Sequence, residues 1–503
     1  MNDNSPRIEE FDPTLMADQE GRPILSLVDH MSRARRFRDA RRPNLRFWHS
    51  GFFDWTATSY YLDVGTDTLK SEIWAYLEHA RRWDKKEEKY INFYPNSESV
   101  GETIAALKAV CQIDETREPP YWIADELPGE LIVFPNGMLD ITTDTFHPPN
   151  ANYFTLSALG FDYQPRRGEP KEWLKFLGQI FQKERVYEAE PRDDDEAYDR
   201  LIEEAESVNE AHPQIRALQE IFGCVISGDT SFEKCFLLLG PRRSGKGTII
   251  NMMRALLAST AVAGPTLGAF GTQFGLSSLV GKALAIIDDL RIGLKDQSSM
   301  VENILKITGR GLFSFDRKYK SYWDGELPVL LFLVSNMMPR LGDDSSALAG
   351  RFIILKTLTS FFNRENRKLF KNKLRPEVSD VFHWALEGLR RLRANGCFTE
   401  PATSIEARDR MGELGSMVRA FVADWCVLGV GLSVAKANLY ESYKRYAEMN
   451  KEAADNNAQF FTSLYAATEG KVTPYSPRDE NGKQVQSVLG IALKDGAGDG
   501  LSF

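Results

Sequence analysis

Phe236-Leu237-Leu238-Leu239-Gly240-Pro241-Arg242-Arg243-Ser244-Gly245-Lys246-Gly247-Thr248 runs from an apolar stretch into a glycine-bounded loop, and helix-forming residues follow from Ile249 to Leu257. So uniformly apolar a run reads as a buried strand. Strand, glycine-rich loop, lysine and helix in this order are the layout of a P-loop, in which backbone N–H groups and a helix N-terminus hold phosphates while the lysine neutralises their charge. Gly240, Ser244, Gly245, Lys246, Gly247 and Thr248 are therefore the candidate nucleotide-binding residues, and a nucleoside triphosphate, ATP with Mg²⁺, is the expected ligand. One position departs from the strict pattern. The residue after Lys246 is Gly247, not Ser or Thr, so the usual hydroxyl ligand of Mg²⁺ is missing there. Thr248, one residue on, still reaches a phosphate and is a candidate metal residue, and the metal leans otherwise on water and a distant acid. The same GKGT run occurs in small nucleotide kinases, so the loop alone leaves two enzyme classes open.

Downstream, Ala283-Leu284-Ala285-Ile286-Ile287-Asp288-Asp289 is an apolar run ending in two acids. The C-terminal end of a buried parallel strand is where such folds place their ligands. Asp288 is the candidate water-mediated Mg²⁺ ligand, and Asp289 the residue orienting the attacking water. A third apolar strand, Leu327 to Val334, ends in Ser335-Asn336, where a carboxamide can bond both the γ-phosphate and the lytic water. Gly350-Arg351-Phe352 opens a fourth apolar run, and Arg351 is a candidate arginine finger, with a structural ion pair as its competing reading. Between acids and asparagine lie Lys306-Ile307-Thr308-Gly309-Arg310-Gly311 and Phe315-Asp316-Arg317-Lys318-Tyr319-Lys320. Basic residues interleaved with aromatics suit a hairpin touching a nucleic-acid strand.

Composition sets the wider frame. The chain of 503 residues has room for three or four domains, and 43% hydrophobic residues can fill their cores. The polar N-terminus, Met1 to Glu10, lacks the order of a signal peptide, and apolar runs such as Val329–Val334 are far below the roughly 20 residues needed to span a bilayer. A soluble protein without a membrane partner is expected. Cys111, Cys224, Cys235, Cys397 and Cys426 are scattered, with no CxxC pair, and read as reduced core thiols of a cytosolic protein. Residues 183–214 carry twelve Asp or Glu against four Lys or Arg, so this segment holds −8 of the net −9 and leaves basic surfaces possible elsewhere.

The pattern predicts an α+β N-terminal region over 1–165, with an arginine-rich segment from Arg33 to Arg46, aromatic hairpins from Phe47 to Tyr61 and a tight turn at Asn136-Gly137. The arginines read foremost as one face of a surface helix packing through Met31 and Phe37. A helical collar containing the acidic insertion follows over 166–235, then an α/β core over 236–360 and a helical lid over 361–412. In the last unit, 413–503, helices near 416–426, 435–449 and 457–467 precede two strand-like segments around Asn481-Gly482, the outline of a winged helix.

P-loop, paired acids, basic hairpin, SerAsn strand and GlyArgPhe, in this order, resemble the superfamily III helicases, above all the helicase half of phage, plasmid and poxvirus primase–helicases. Trp48 to Trp55, the Asn136-Gly137-Met138-Leu139-Asp140 turn, and Trp173 with Leu177 look like that family's helicase-associated N-terminal region. Trp384-Ala385-Leu386-Glu387-Gly388 looks like its lid, and Asn438-Leu439-Tyr440 with Tyr443 like its winged helix. The resemblance covers roughly residues 40–495. It implies an AAA+-like ATPase core, a homo-hexameric ring with ATP between neighbours, and an Arg351 that acts on the adjacent subunit. It also implies that Lys318, with Arg317 and Lys320, faces DNA in a central channel, with movement 3′ to 5′. Gly309-Arg310-Gly311 departs from the family's GlyGlyAsp at the hairpin. No run reads as the Asp-x-Asp metal pair of an archaeal-eukaryotic-type primase or as a zinc-binding cluster, so a separate polypeptide is expected to prime. A small-molecule kinase and an ATP-dependent initiator that binds DNA without unwinding it are the competing readings.

Overall fold

The apolar runs that flank the loop pair side by side in one sheet. In the computed structural model, which describes residues 16–55, 59–124, 129–181, 212–272, 274–288, 298–317, 320–339, 341, 347–415, 417–450, 454–468, 470–478 and 484–494, the chain divides into two compact units. One comprises the chain up to Tyr163 together with Ser314–Gly325, and the other Gln164–Phe313 with the chain from Glu326 onward.

The larger unit is built on five strands: β1 (Cys235–Leu239), β2 (Val262–Ala263), β3 (Leu284–Asp288), β6 (Leu330–Ser335) and β7 (Phe352–Lys356). All pair in parallel, in the order β2-β3-β6-β1-β7. Phe236–Leu238, Leu284–Ile287, Leu330–Val334 and Phe352–Leu355 are all buried, as strands covered on both faces must be. Numbers β4 and β5 belong to the intervening hairpin, Phe313–Arg317 and Lys320–Gly325. Helices α1 (Lys171–Phe181), α2 (Pro213–Ser227), α3 (Lys246–Leu256), α4 (Ser298–Thr308) and α5 (Val378–Asn395) complete this layer, α3 leaving directly from the glycine-rich loop.

α2 and α5 cross with their backbones almost touching. A Cβ on Gly388 would lie 2.4 Å from Gln219 O, and one on Gly223 2.7 Å from Leu389 N, so both crossing points need glycine. The crossing is then locked by a buried carboxylate. Glu220 accepts from Arg391 Nε at 2.8 Å, from Thr399 N at 2.7 Å and from Thr399 Oγ1 at 2.8 Å, which satisfies a charge that could not be buried alone. The periodicity predicts helix from residue 361, but 357–368 is non-helical, and a π turn over Phe370–Leu374 and a 3₁₀ turn over Arg375–Glu377 lead into α5 at Val378. Asn363, at φ +64, and Asn366 interrupt the pattern there.

After α6 (Ala402–Gly415), the chain closes with α7 (Met417–Trp425), β8 (Cys426–Ala435), α8 (Lys436–Met449), α9 (Asn457–Ala467), β9 (Thr473–Tyr475) and β10 (Ser487–Leu493). The three helices stand where the periodicity predicts them. Val418, Phe421, Tyr443, Phe460, Leu464, Val488 and Ile491 form their shared core. The antiparallel sheet has the order β8-β10-β9. Its first strand is not anticipated by the sequence reading, because Gly429 and Gly431 sit inside it and its register breaks between Leu428 and Ser433. The expected turn at Asn481-Gly482 and nearly all of the acidic stretch 183–214 lie outside the described residues.

In the smaller unit, the aromatic segment forms a three-stranded antiparallel sheet of Arg46–Trp48, Gly51–Trp55 and Tyr61–Asp63. The arginines before it are largely structural. Buried Arg33 donates to Leu27 O at 2.6 Å, Thr103 Oγ1 at 3.2 Å and Ser99 O at 3.3 Å, and Arg42 bridges Asp54 and Glu72. Phe37 is buried as expected, whereas Met31 is exposed. The turn predicted at Asn136-Gly137 is shifted by one residue: Phe134 pairs with Gly137, so Pro135 and Asn136 form it.

The β4–β5 hairpin is placed within the core by sequence, but it groups with this smaller unit. The reason is Trp323. Its buried ring meets Trp48 edge-to-face at 5.5 Å and tilts on His49 at 4.6 Å, so the second strand of the hairpin ends in the aromatic core of the N-terminal unit. Arg317 and Lys320 lie in the two strands, and Lys318 lies outside the described residues.

Candidate nucleotide site

Parallel pairing in register brings three strand ends to one edge of the sheet. Leu239 is opposite Ser335 and Asp288 opposite Val334, so the loop after β1, the acid ending β3 and Asn336 after β6 converge there. Loop conformation is fixed by glycine. Gly245 has φ +88, and a Cβ on it would meet Ile180 Cγ2 at 2.9 Å and the Phe176 ring at 3.1 Å, both on α1. A Cβ on Gly240 would sit 1.9 Å from Thr357 Oγ1.

Lys246 is folded back onto the loop. Its Nζ donates to Gly240 O and Pro241 O, both at 2.6 Å, to Asn336 Oδ1 at 3.0 Å and to Ser244 Oγ at 3.4 Å. These acceptors hold the ammonium where an anion would sit in front of it. Burial holds the lysine below its ordinary pKa, and the charge of Asp288 works in the opposite direction. Arg242, Arg243, Ser244, Gly245, Lys246, Gly247, Ile250, Asp288, Val334, Ser335 and Asn336 line an open cleft of about 500 Å³. Three cations face one carboxylate there, which suits a polyanion accompanied by a cation. Asp288 and Asn336 are exposed to the cleft, and Asp289 lies outside the described residues. Gly247 is part of the cleft wall, whereas Thr248 is half-buried in the first turn of α3 and is not.

Ser244 has a role the sequence did not suggest. Its buried hydroxyl lies 2.6 Å from Thr357 Oγ1, which itself donates to Leu239 O at 3.2 Å. With one proton each, Thr357 donates to Leu239 and Ser244 donates to Thr357, leaving Ser244 Oγ free to accept from Lys246. Thr357 is thus a loop-positioning residue that the sequence reading missed, and a lone Thr after a strand carries no signal of its own.

Arg351 is not brought into this cleft. It precedes β7, and Cys235 at the start of β1 pairs with Phe352, so Arg351 stands at the opposite edge of the sheet from the loop. Five strand residues separate those edges, about 16 Å at roughly 3.3 Å per residue. Half-exposed, Arg351 pairs with Glu233 and borders a second open cleft with Ser231, Phe232, Lys234, Ala347 and Gly350. Four of the five cysteines are buried, but Cys397 is exposed. No helix among the described residues is long and apolar enough to cross a membrane.

Set beside known proteins, residues 34–182 match the family described as D5 N terminal like, and residues 238–351 match a family of unknown function, DUF5906. No curated protein matches the chain. Among solved structures, an apo structure of the NrS-1 C terminal region aligns at TM-score 0.47 and 8% identity, covering 92% of this chain and 99% of that one. A second, A-form apo structure of that region aligns at TM-score 0.43 and 7% identity, covering 89% and 97%. Both are too distant to assign anything to this chain. It is over its N-terminal third that the chain is similar to the D5 N terminal like family, and over the loop, the acid strand and the asparagine strand that it is similar to DUF5906.

Proposed function

We propose that this chain is an ATP-hydrolysing DNA helicase, a ring translocase that replicates a phage, plasmid or other mobile element. The observation that carries the reading is the division of parts between the two edges of one sheet. Lys246, Asp288 and Asn336 share one edge, and Arg351 stands at the other, out of reach of its own loop. That is the arrangement needed if ATP sits between subunits and the neighbour supplies the finger. Support also comes from the D5 N terminal like match, which overlaps the segment where the sequence resembles a helicase-associated region. The helices and hairpin of 413–503 serve as a winged helix in this reading, and a separate primase is the expected partner. ATPase stimulated by single-stranded DNA, with strand displacement on a forked duplex, tests the proposal. A DNA-independent ATPase that phosphorylates a small molecule, or DNA binding without displacement, would overturn it.

Within the site, Lys246 and the backbone N–H groups of 244–247 hold the β- and γ-phosphates. Asp288, through water, and Thr248 are the residues that would hold Mg²⁺, which would supply charge neutralisation for the transferring group. Asp289 orients and deprotonates the attacking water, and Asn336 bonds it and the γ-phosphate. Gly247 offers no hydroxyl where the usual pattern would give a bound Mg²⁺ one. Nothing lies within 4 Å of where a Cβ on Gly247 would stand, so a side chain fits there without cost to the loop. Gly247→Ser should therefore lower the Mg²⁺ concentration for half-maximal ATPase several-fold at unchanged melting temperature. An unchanged Mg²⁺ dependence would show that this face of α3 does not meet the metal.

Arg317, Lys318 and Lys320 are the proposed DNA contacts at the hairpin. Lys318→Ala should leave basal ATPase intact, because the residue is outside the phosphate loop, while DNA stimulation and unwinding fall together. Losing one phosphate contact per subunit should also flatten the salt dependence of binding by about one counterion per subunit. Unchanged single-strand affinity across a salt titration, with unwinding intact, would reduce the segment to a solvated hairpin.

A further inference from the structure

We propose that Phe362 is the stacking platform for the nucleotide base, a reading that rests on triphosphate binding at the Lys246 loop. The segment after β7 is tied to that loop along its length. Thr357 N donates to Leu239 O at 2.8 Å, Ser360 Oγ to Arg242 O at 2.8 Å and Phe361 N to Arg243 O at 2.9 Å. Arg243 Nε meets Glu365 Oε1 at 3.3 Å, and on the other side Leu358 N donates to Ile180 O at 3.4 Å. A tight turn follows, closed by Arg364 N donating to Phe361 O at 2.8 Å, with Asn363 at φ +64 in the position that favours asparagine or glycine. Phe362 occupies the corner of this turn.

So firmly held a segment would be expected to turn its apolar side chains inward, yet Phe362 is 63% exposed and Leu358 40%. Their location relative to the sheet says what they await. The order β3-β6-β1-β7 puts Asp288 and Asn336 on one flank of the loop and this segment on the other. The reacting end of a triphosphate must lie towards Asp288 and Asn336. Its remainder, sugar and base, then leaves the loop on the flank of β7, where the apolar surface is Leu358 and Phe362. A rigid exposed ring offers a π-face to any base at little entropic cost. Purines, with the larger ring, should gain more than pyrimidines.

The test is equilibrium binding to the full chain of ATP, CTP and inorganic tripolyphosphate, for wild type, Phe362→Ala, Phe362→Trp and Lys246→Ala. Phe362→Ala should bind ATP about tenfold more weakly, at the scale of one lost base–aromatic stack, with tripolyphosphate affinity unchanged. The preference for ATP over CTP should shrink, and Phe362→Trp should restore both. ATP affinity unaltered in Phe362→Ala would overturn the assignment. So would an equal fall for ATP and tripolyphosphate, since the ring would then act only through the loop. Should wild type bind tripolyphosphate no better than Lys246→Ala does, the phosphate site itself fails, and the base platform with it.

Discussion

Lys246→Ala should reduce ATP hydrolysis by about 10³-fold, the scale of removing one fixed charge that faces the developing negative charge of a phosphoryl transfer. The structure makes the loss specific to the site. Lys246 Nζ meets Gly240 O, Pro241 O and Asn336 Oδ1, so its removal leaves three oxygen dipoles facing the cleft where a triphosphate must approach. Arg242 and Arg243 still line that cleft, and weakened nucleotide binding should survive where turnover does not. Folding should be little affected, because Gly240, Gly245 and the Ser244–Thr357 hydroxyl pair set the loop without the lysine. The paired measurement is ATPase rate and melting temperature. A variant within tenfold of the wild-type rate, with an unaltered melting temperature, would remove Lys246 from the reaction. Charge state adds a second signature. Burial lowers the pKa of the ammonium, so the protonated form that binds phosphate is lost as pH rises through a value below that of an ordinary lysine. Nucleotide affinity should fall on the alkaline side, and Lys246→Arg, which stays charged, should lose that limb.

The alternation of apolar runs with helices revealed the parallel core, because strands buried on both faces must be apolar throughout, and Leu284–Ile287 or Leu330–Val334 admit no other reading. The candidate site was legible for the same reason, since its residues come immediately after such runs. What sequence could not supply were contacts between residues far apart in the chain. Thr357 on the Ser244 hydroxyl spans 113 positions, and Trp323 in the ring cluster of Trp48 and His49 spans more than 270. Without that tryptophan contact, the hairpin reads as part of the strand order it interrupts. The strand Cys426–Ala435 was hidden differently, by glycines that serve a β-bulge yet look like a loop.

Arg351→Ala should lower ATP turnover by roughly 10³-fold or more, as loss of an arginine finger does, while each subunit continues to bind ATP through its own Lys246. An arginine about 16 Å from its own loop, as the strand length requires, acts on the nucleotide of a neighbour or not at all. Mixing decides between these. In a ring assembled at random from equal parts Lys246→Ala and Arg351→Ala, up to about a quarter of the interfaces combine an intact loop with an intact finger, so activity should reappear where neither parent has any. A mixture as inactive as its parents, with mixed rings seen by native mass spectrometry, would refute action in trans. The ion pair with Glu233 offers the competing structural account, in which Arg351 merely ties the start of β7 to the turn before β1. Glu233→Gln separates the two. If the pair is structural, this variant should lose as much activity and stability as Arg351→Ala. A finger needs Glu233 only as a resting partner that it leaves for a γ-phosphate, and Glu233→Gln then keeps its turnover. A half-exposed surface pair contributes about 0–1 kcal/mol to stability, too little to explain a thousandfold loss of turnover, so the two accounts predict results far enough apart to measure.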